Sequence, residues 1–286
     1  MKRFVVVLVS ILICGNLISC MGGKRPGGTH ADRVHVTSYE NRTTTQQPVN
    51  EEIPQDVPRL LEIPIAAGVQ EQIIEHVGYT VSFNSQTRLP NWVAYELTYA
   101  EANGTFPRDK RFNQDPYVRG MQADNDDYKN SGWDKGHMCP AGDAKWSKQA
   151  MSDSFYFTNI CPQNPNLNGG DWKDLEEKCR AITQFYGKVY IVCGAIVGDA
   201  INGTLGYNRV TIPDAFYKVL LVETSKGYEG IGFYFENKAG HKSLGNYARS
   251  IDYIEQITNI DFFPALPNNI ETDVESKYNL SVWHIR

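Results

Sequence analysis

SGWDKGHMCPAGDAKWSKQAMSDSFYFTNICPQNPNLNGGDWKDLEEKCR, residues Ser131 to Arg180, is the stretch around which the rest of the chain is read. Asp134-Lys135-Gly136-His137 places an imidazole directly after a glycine, where the backbone bends tightly enough to present a side chain into a cleft. His137 is therefore a candidate general base. Further on, Asn159, Asn164, Asn166 and Asn168 crowd a loop too polar for a core. Asparagine carbonyl oxygens are acceptable ligands for a hard cation such as Mg²⁺ or Ca²⁺. Asn168-Gly169-Gly170-Asp171 then runs into a predicted helix with Asp171 as its N-cap, and Leu175, Cys179 and Ile182 make its apolar stripe. Glu176 and Arg180, four residues apart, share a neighbouring face. Each of these residues alone has an ordinary structural explanation. A core, however, does not require a Gly-His turn, an asparagine-rich loop and this helix in that order.

The same blocks resemble the DNA/RNA non-specific endonuclease family, which includes secreted bacterial nucleases and mitochondrial endonuclease G. The family's Asp-Arg-Gly-His signature is matched by Asp134 to His137, followed by Pro140-Ala141. Its second block is matched by Asn159 to Gln163, Leu167 to Trp172 and Leu175-Glu176, and Pro90 to Tyr95 looks like the family's opening. The likeness covers roughly Gly78 to Pro264. Lys135 replaces the usual arginine, and Gly169 stands where several members carry glutamine; lysine cannot make arginine's bidentate phosphate contact.

The resemblance implies an α+β fold, a central antiparallel sheet flanked by helices, with a ββα-metal finger as active site. It also implies hydrolysis of DNA and/or RNA with little sequence preference, since contacts go to the backbone and not to base edges. His137 is then the general base and Asn168 holds Mg²⁺, with Mn²⁺ or Ca²⁺ as alternatives. Glu176 orients water in the outer shell of the cation, and Arg111 and Arg180 hold the phosphate. Lys135 and Asn159 are placed with the substrate. Two other readings fit the same chain: a catalytically silent nucleic-acid-binding or surface-interaction lipoprotein, and a phosphodiesterase acting on another envelope substrate.

At the N-terminus, Met1-Lys2-Arg3 precedes an apolar run from Phe4 to Ile18, the length of a signal region and too short to span a membrane. Leu17-Ile18-Ser19-Cys20 resembles a bacterial lipobox, so residues 1–19 are read as a lipoprotein signal peptide and Cys20 as the lipidated residue. Export to the bacterial cell envelope and a lipid-anchored membrane attachment, periplasmic or surface-facing, follow from that reading. Residues 20–58 lack any apolar periodicity and are read as a disordered tether. Residues 59–286 make one domain, with no internal repeat and enough chain for a substantial core.

Within the domain, residues 78–83 and 92–98 read as a hairpin, and 189–194, 216–223 and 230–236 as further strands. Residues 106–130 form a long loop of the kind more often functional than filler. Residues 199–208 read as a glycine-rich loop. Tyr253, Ile254, Ile257 and Ile260 give a helical stripe, and the tail beyond Pro267 carries no signal. His76, His241 and His284 are read as structural or exposed.

Of six cysteines, Cys14 leaves with the signal and Cys20 carries lipid. An even remainder in an exported chain favours disulfides. Cys139 with Cys161 is the preferred pair, because both follow motif strands that meet at the site. Cys179 with Cys193 would join a helix to the next strand. A zinc site lacks any close Cys-x-x-Cys pair. The net charge of −5 gives no basic stripe, so attraction to nucleic acid would rest on Lys135, Lys145, Lys148, Lys173, Arg111 and Arg180 together with the cation.

Overall fold

Runs rich in β-branched and aromatic residues become strands here because alternate side chains fill both faces of one sheet. The computed structural model describes residues 60–198 and 202–285. Its central sheet is antiparallel, in the spatial order Ala248–Arg249, Gly227–Glu236, Ala215–Thr224, Lys188–Ile196, Leu89–Thr98, Thr80–Asn84 and Gln72–Glu75. The fold is α+β with helices packed against this sheet, as the resemblance implied. The signal peptide, Cys20 and the tether fall outside the described residues.

The expected hairpin forms, but its second strand begins earlier than the sequence suggested. Register shifts between Ser82 and Phe83, where Phe83 faces Pro90. Proline has no amide hydrogen for the ladder, and the bulge lets the ten-residue strand continue past it.

Alternation along Ala215–Thr224 divides the core in two. Phe216, Leu220 and Val222 pack with Trp172, Leu175, Cys179 and Ile182 of the helix Asp171–Tyr186. Tyr217, Val219 and Leu221 turn to the other face, toward Ile251, Ile254, Phe262 and Val274. A buried side chain of this size contributes about 1.5–3 kcal/mol. The helices Ile251–Thr258 and Asn268–Glu275 cover that second face. They come close because Gly230 and Gly232 lack side chains: a Cβ at Gly230 would lie 2.6 Å from Ile251, and one at Gly232 would lie 2.6 Å from Ile254.

Several expectations need correction. Asp171 is the first helical residue and Gly170 the cap. The Asp171 carboxylate, 1 % exposed, instead accepts from Tyr247 Oη and the Lys242 amide and pairs with His241 Nδ1. His76 takes the structural of its two expected roles: its Nε2 meets the buried Asp115 carboxylate at 2.9 Å, tying the strand end to the long loop. That loop holds a helical turn at Asn125–Tyr128, closed by an Asp124–Asp127 capping box. Two-residue strands, Thr204–Leu205 and Val210–Thr211, pair beside the described part of the glycine-rich loop. The uninformative tail contributes a helix and the fully buried Trp283.

The four domain cysteines are buried free thiols, so the Cys139–Cys161 and Cys179–Cys193 bridges are not made. Strand register supplies the reason for the first: Cys161 faces Gly136, not Cys139. Cys193 turns its Sγ toward the Met138 carbonyl at 3.2 Å, and burial pushes the Cys179 thiol up to about 12.

Candidate active site

A two-stranded finger, Asp134–His137 paired with Ile160–Gln163, carries the histidine. Gly136 sits within its strand, and its role is close approach: a Cβ there would fall 2.2 Å from Gln163 Oε1. The His137 ring lies between Phe112, 5.4 Å away, and Phe155, which meets it edge-on at 4.9 Å. Its carbonyl accepts from Trp172 Nε1 of the site helix at 3.3 Å. Burial, and then the charge of Arg108, push its pKa down to about 3. The imidazole is therefore neutral at physiological pH, and Nε2 is buried with no hydrogen-bond partner.

Asn159, expected to contact substrate, is fully buried and spent on the backbone. Its Oδ1 accepts from Cys139 N, and its Nδ2 donates to the Cys139 and Ser154 carbonyls, all at 2.8 Å. A side chain with every polar atom engaged inside the protein has none left for a ligand. Asn159 instead fixes the backbone just past His137.

Asn168 lies in a one-turn helix, Pro165–Gly169, which Asn164 caps by accepting from Asn166 N. Gly170 joins this turn to the site helix, and a Cβ there would strike the Asn166 carbonyl at 2.5 Å. The chain thus bends before the long helix begins, and Asn168 precedes that helix; it does not open it. Asn168 Nδ2 donates to Asp134 Oδ2 at 2.9 Å. With the amide nitrogen tied to a carboxylate, the carbonyl oxygen faces away from that bond as a hard donor, which suits Mg²⁺. Beside it a cavity of about 550 Å³ is lined by Phe112, Asn125, Tyr128, Trp133, Lys135 and Asn168. Lys135 Nζ donates to Asn125 Oδ1 at 2.7 Å and lies 4.8 Å from the Phe112 ring.

On the helix, Arg180 Nη1 pairs with Asp143 Oδ1 at 2.6 Å, while Tyr95 Oη donates to Asp143 Oδ2 at 2.9 Å. Gly142 makes room, since a Cβ there would lie 2.7 Å from Arg180 Nη1. Desolvation pushes the half-buried Glu176 carboxyl up to about 7, against the opposing charge of Lys218. Lys218 is fully buried on the site face of its strand, with its ammonium 4.5 Å from the Trp172 ring.

Of the two nearby arginines, Arg108 is the one drawn to the histidine. Its guanidinium lies 5.3 Å from the Phe155 ring that abuts His137, and its charge acts on both His137 and Glu176. Arg111, exposed as Arg108 is, hydrogen-bonds through its backbone to Asp109 and Asn113. The structure thus brings together His137, Asn168, Glu176, Arg180 and Lys135. It adds Asp134, Asp143, Arg108 and Lys218, which sequence reasoning had not given a role. Asp134 had a signal as the first residue of the matched signature, and Lys218 had one as a charge within the apolar run from Phe216 to Val222.

A finger holding a neutral histidine, a tethered asparagine and a helix with an acid and an arginine defines a class, and the family model of the DNA/RNA non-specific endonucleases matches residues 57–269. The chain belongs to that family. It is 32 % identical over 215 residues to mitochondrial nuclease EXOG of Danio rerio, covering 70 % of this chain and 63 % of that protein. It is 30 % identical over 207 residues to mitochondrial endonuclease G of Bos taurus, covering 68 % and 69 %. A Nostoc sp. protein named nuclease is 31 % identical over 214 residues, covering 70 % and 76 %. The chain thus spans less than two thirds of the EXOG relative's length. Among solved structures, a crystal structure of the EndoG/EndoGI complex superposes with a TM-score of 0.64 at 24 % identity, over 70 % of this chain and 89 % of that one, and shares the fold.

Proposed function

We propose that the chain is a Mg²⁺-dependent endonuclease that hydrolyses phosphodiester bonds of DNA and/or RNA with little sequence preference. The observation that carries this reading is the neutral His137 imidazole with its Nε2 left unpartnered, on a finger whose Asp134 ties down the amide nitrogen of Asn168. His137 takes a proton from the attacking water, a contribution of about 10²- to 10⁴-fold. Asn168 holds the cation through its carbonyl oxygen, and Asp134 keeps that amide from rotating. Mg²⁺, when bound, offsets the charge that develops on the leaving oxygen. Arg108 and Arg180 face the phosphate with fixed positive charge, Arg180 steadied by Asp143. Glu176 orients water at the site, with Lys218 beneath favouring its ionised form. Lys135, at the cavity edge, meets the substrate backbone as a point charge.

Incubating the protein with duplex DNA, single-stranded DNA and RNA tests this, with Mg²⁺ and with EDTA. Cleavage that needs the cation and ignores sequence is the expected result. Undiminished cleavage after verified metal removal would defeat the one-metal reading, and binding without cleavage would favour the silent one. The lipid anchor at Cys20 and the envelope location belong to the same proposal, supported by the lipobox-like residues 17–20. Cys20→Ser should release the protein from membranes.

A further inference from the structure

The cavity beside Asn168 has aromatic walls, Phe112, Tyr128 and Trp133, to which phosphate hydrolysis gives no task. Tyr128 is stacked on Phe157 at 5.9 Å and Phe112 packs on Phe155 at 4.9 Å, so two of the walls are fixed before any ligand arrives. The Lys135 ammonium already lies 4.8 Å from the Phe112 ring and 5.8 Å from the Tyr128 ring. Trp133 differs from both. It packs against the core yet is half-buried, and among the described residues no ring or cation stacks on it. A tight turn presents it: Gly132 has φ +82°, and Ser131 Oγ accepts from the Trp133 amide at 3.1 Å.

Charge narrows what can enter. Asp126 and Asp134 share the lining with Lys129 and Lys135, so the cavity has no positive excess to hold a phosphate. A flat, neutral group fits better, and an aromatic face is where a nucleic-acid base stacks whatever its identity. Asn168 and Lys135 border the same cavity. A base lodged there therefore belongs to a nucleotide next to the bond being cut.

Given the nuclease reading of the adjoining site, we propose that this cavity receives an unpaired base of a single-stranded stretch of DNA or RNA, stacked on Trp133, and that Trp133 thereby favours single strands over duplex. In a duplex the same base is paired and stacked on its neighbours, and it must be pulled out before it can reach the ring. A single strand presents it at little cost.

Protein carrying His137→Gln, so that the strand stays intact, is titrated with a short oligonucleotide bearing the fluorescent base 2-aminopurine at successive positions, single-stranded or annealed to its complement. Binding should change the fluorescence at one position of the single strand and not in the duplex. Trp133→Leu keeps the apolar bulk without the π-face; it should abolish that change and weaken single-strand binding by about 5-fold or more. Trp133→Phe should recover most of the affinity, and both variants should bind duplex as the parent does. If Trp133→Leu lowers Tm too far to be used, Trp133→Met takes its place with the same expectation. Equal single-strand affinity in the Leu and Phe variants, or an equally large signal from the duplex, overturns the pocket. Both readouts are taken without cleavage. A wild-type protein that cuts nothing but keeps the Trp133-dependent signal would lose the nuclease reading and retain the base site.

Discussion

His137 was legible as a residue but not as a chemical state. Its position after a glycine drew attention to it, yet its neutrality comes from Phe112, Phe155 and Arg108, which the sequence keeps well apart from it. A histidine with a folded pKa near 3, below the ordinary 6.5, holds its proton more tightly in the unfolded chain. Stability from this group therefore falls as pH drops from 6.5 toward 3. Urea unfolding at pH 7 and pH 4.5 should show His137→Gln gaining on wild type at the lower pH. The same variant should lose at least ~10²-fold in rate at any Mg²⁺ concentration, whereas Asn168→Ala should recover part of its activity as Mg²⁺ rises. Arg108→Ala should raise the His137 pKa, read from its imidazole proton resonances, and slow cleavage. Arg111→Ala should leave that pKa unchanged; a larger effect of Arg111 on either quantity would support the phosphate-holding role first read for it.

Elements were foreseen where the pattern was periodic, and missed where a contact set their limits. The hairpin, the site helix and the strands after it follow from alternation and from the Leu175, Cys179, Ile182 stripe. Asn159 was misread because its type suits a ligand and its burial is invisible in sequence. Asn159→Ala should cost about 1–3 kcal/mol in unfolding free energy, since it strands the Cys139 amide beside the finger. Activity should fall through displacement of His137, with little change in nucleic-acid affinity. Gly232→Ala should destabilise by about 1–3 kcal/mol by forcing Ile254 and its helix off the sheet, which denaturant titration would measure.

For the molecule as a whole, the thiol state is the clearest reversal. With four buried free cysteines, dithiothreitol should leave Tm unchanged, and a thiol reagent should react with the domain thiols only in denaturant. A drop in Tm on reduction would return the disulfides. The sequence by itself determined the family, the α+β class, the finger and most of the residues offered for catalysis, because local motifs and periodicity are written along one chain. Only the tertiary structure decided that the Arg108 charge acts on both His137 and Glu176, that Lys218 is fully buried on the site face of its strand, and that the four domain cysteines stay apart. These depend on burial and on distances between segments far apart in sequence, and a charge or an amide means something different once water has been excluded from around it.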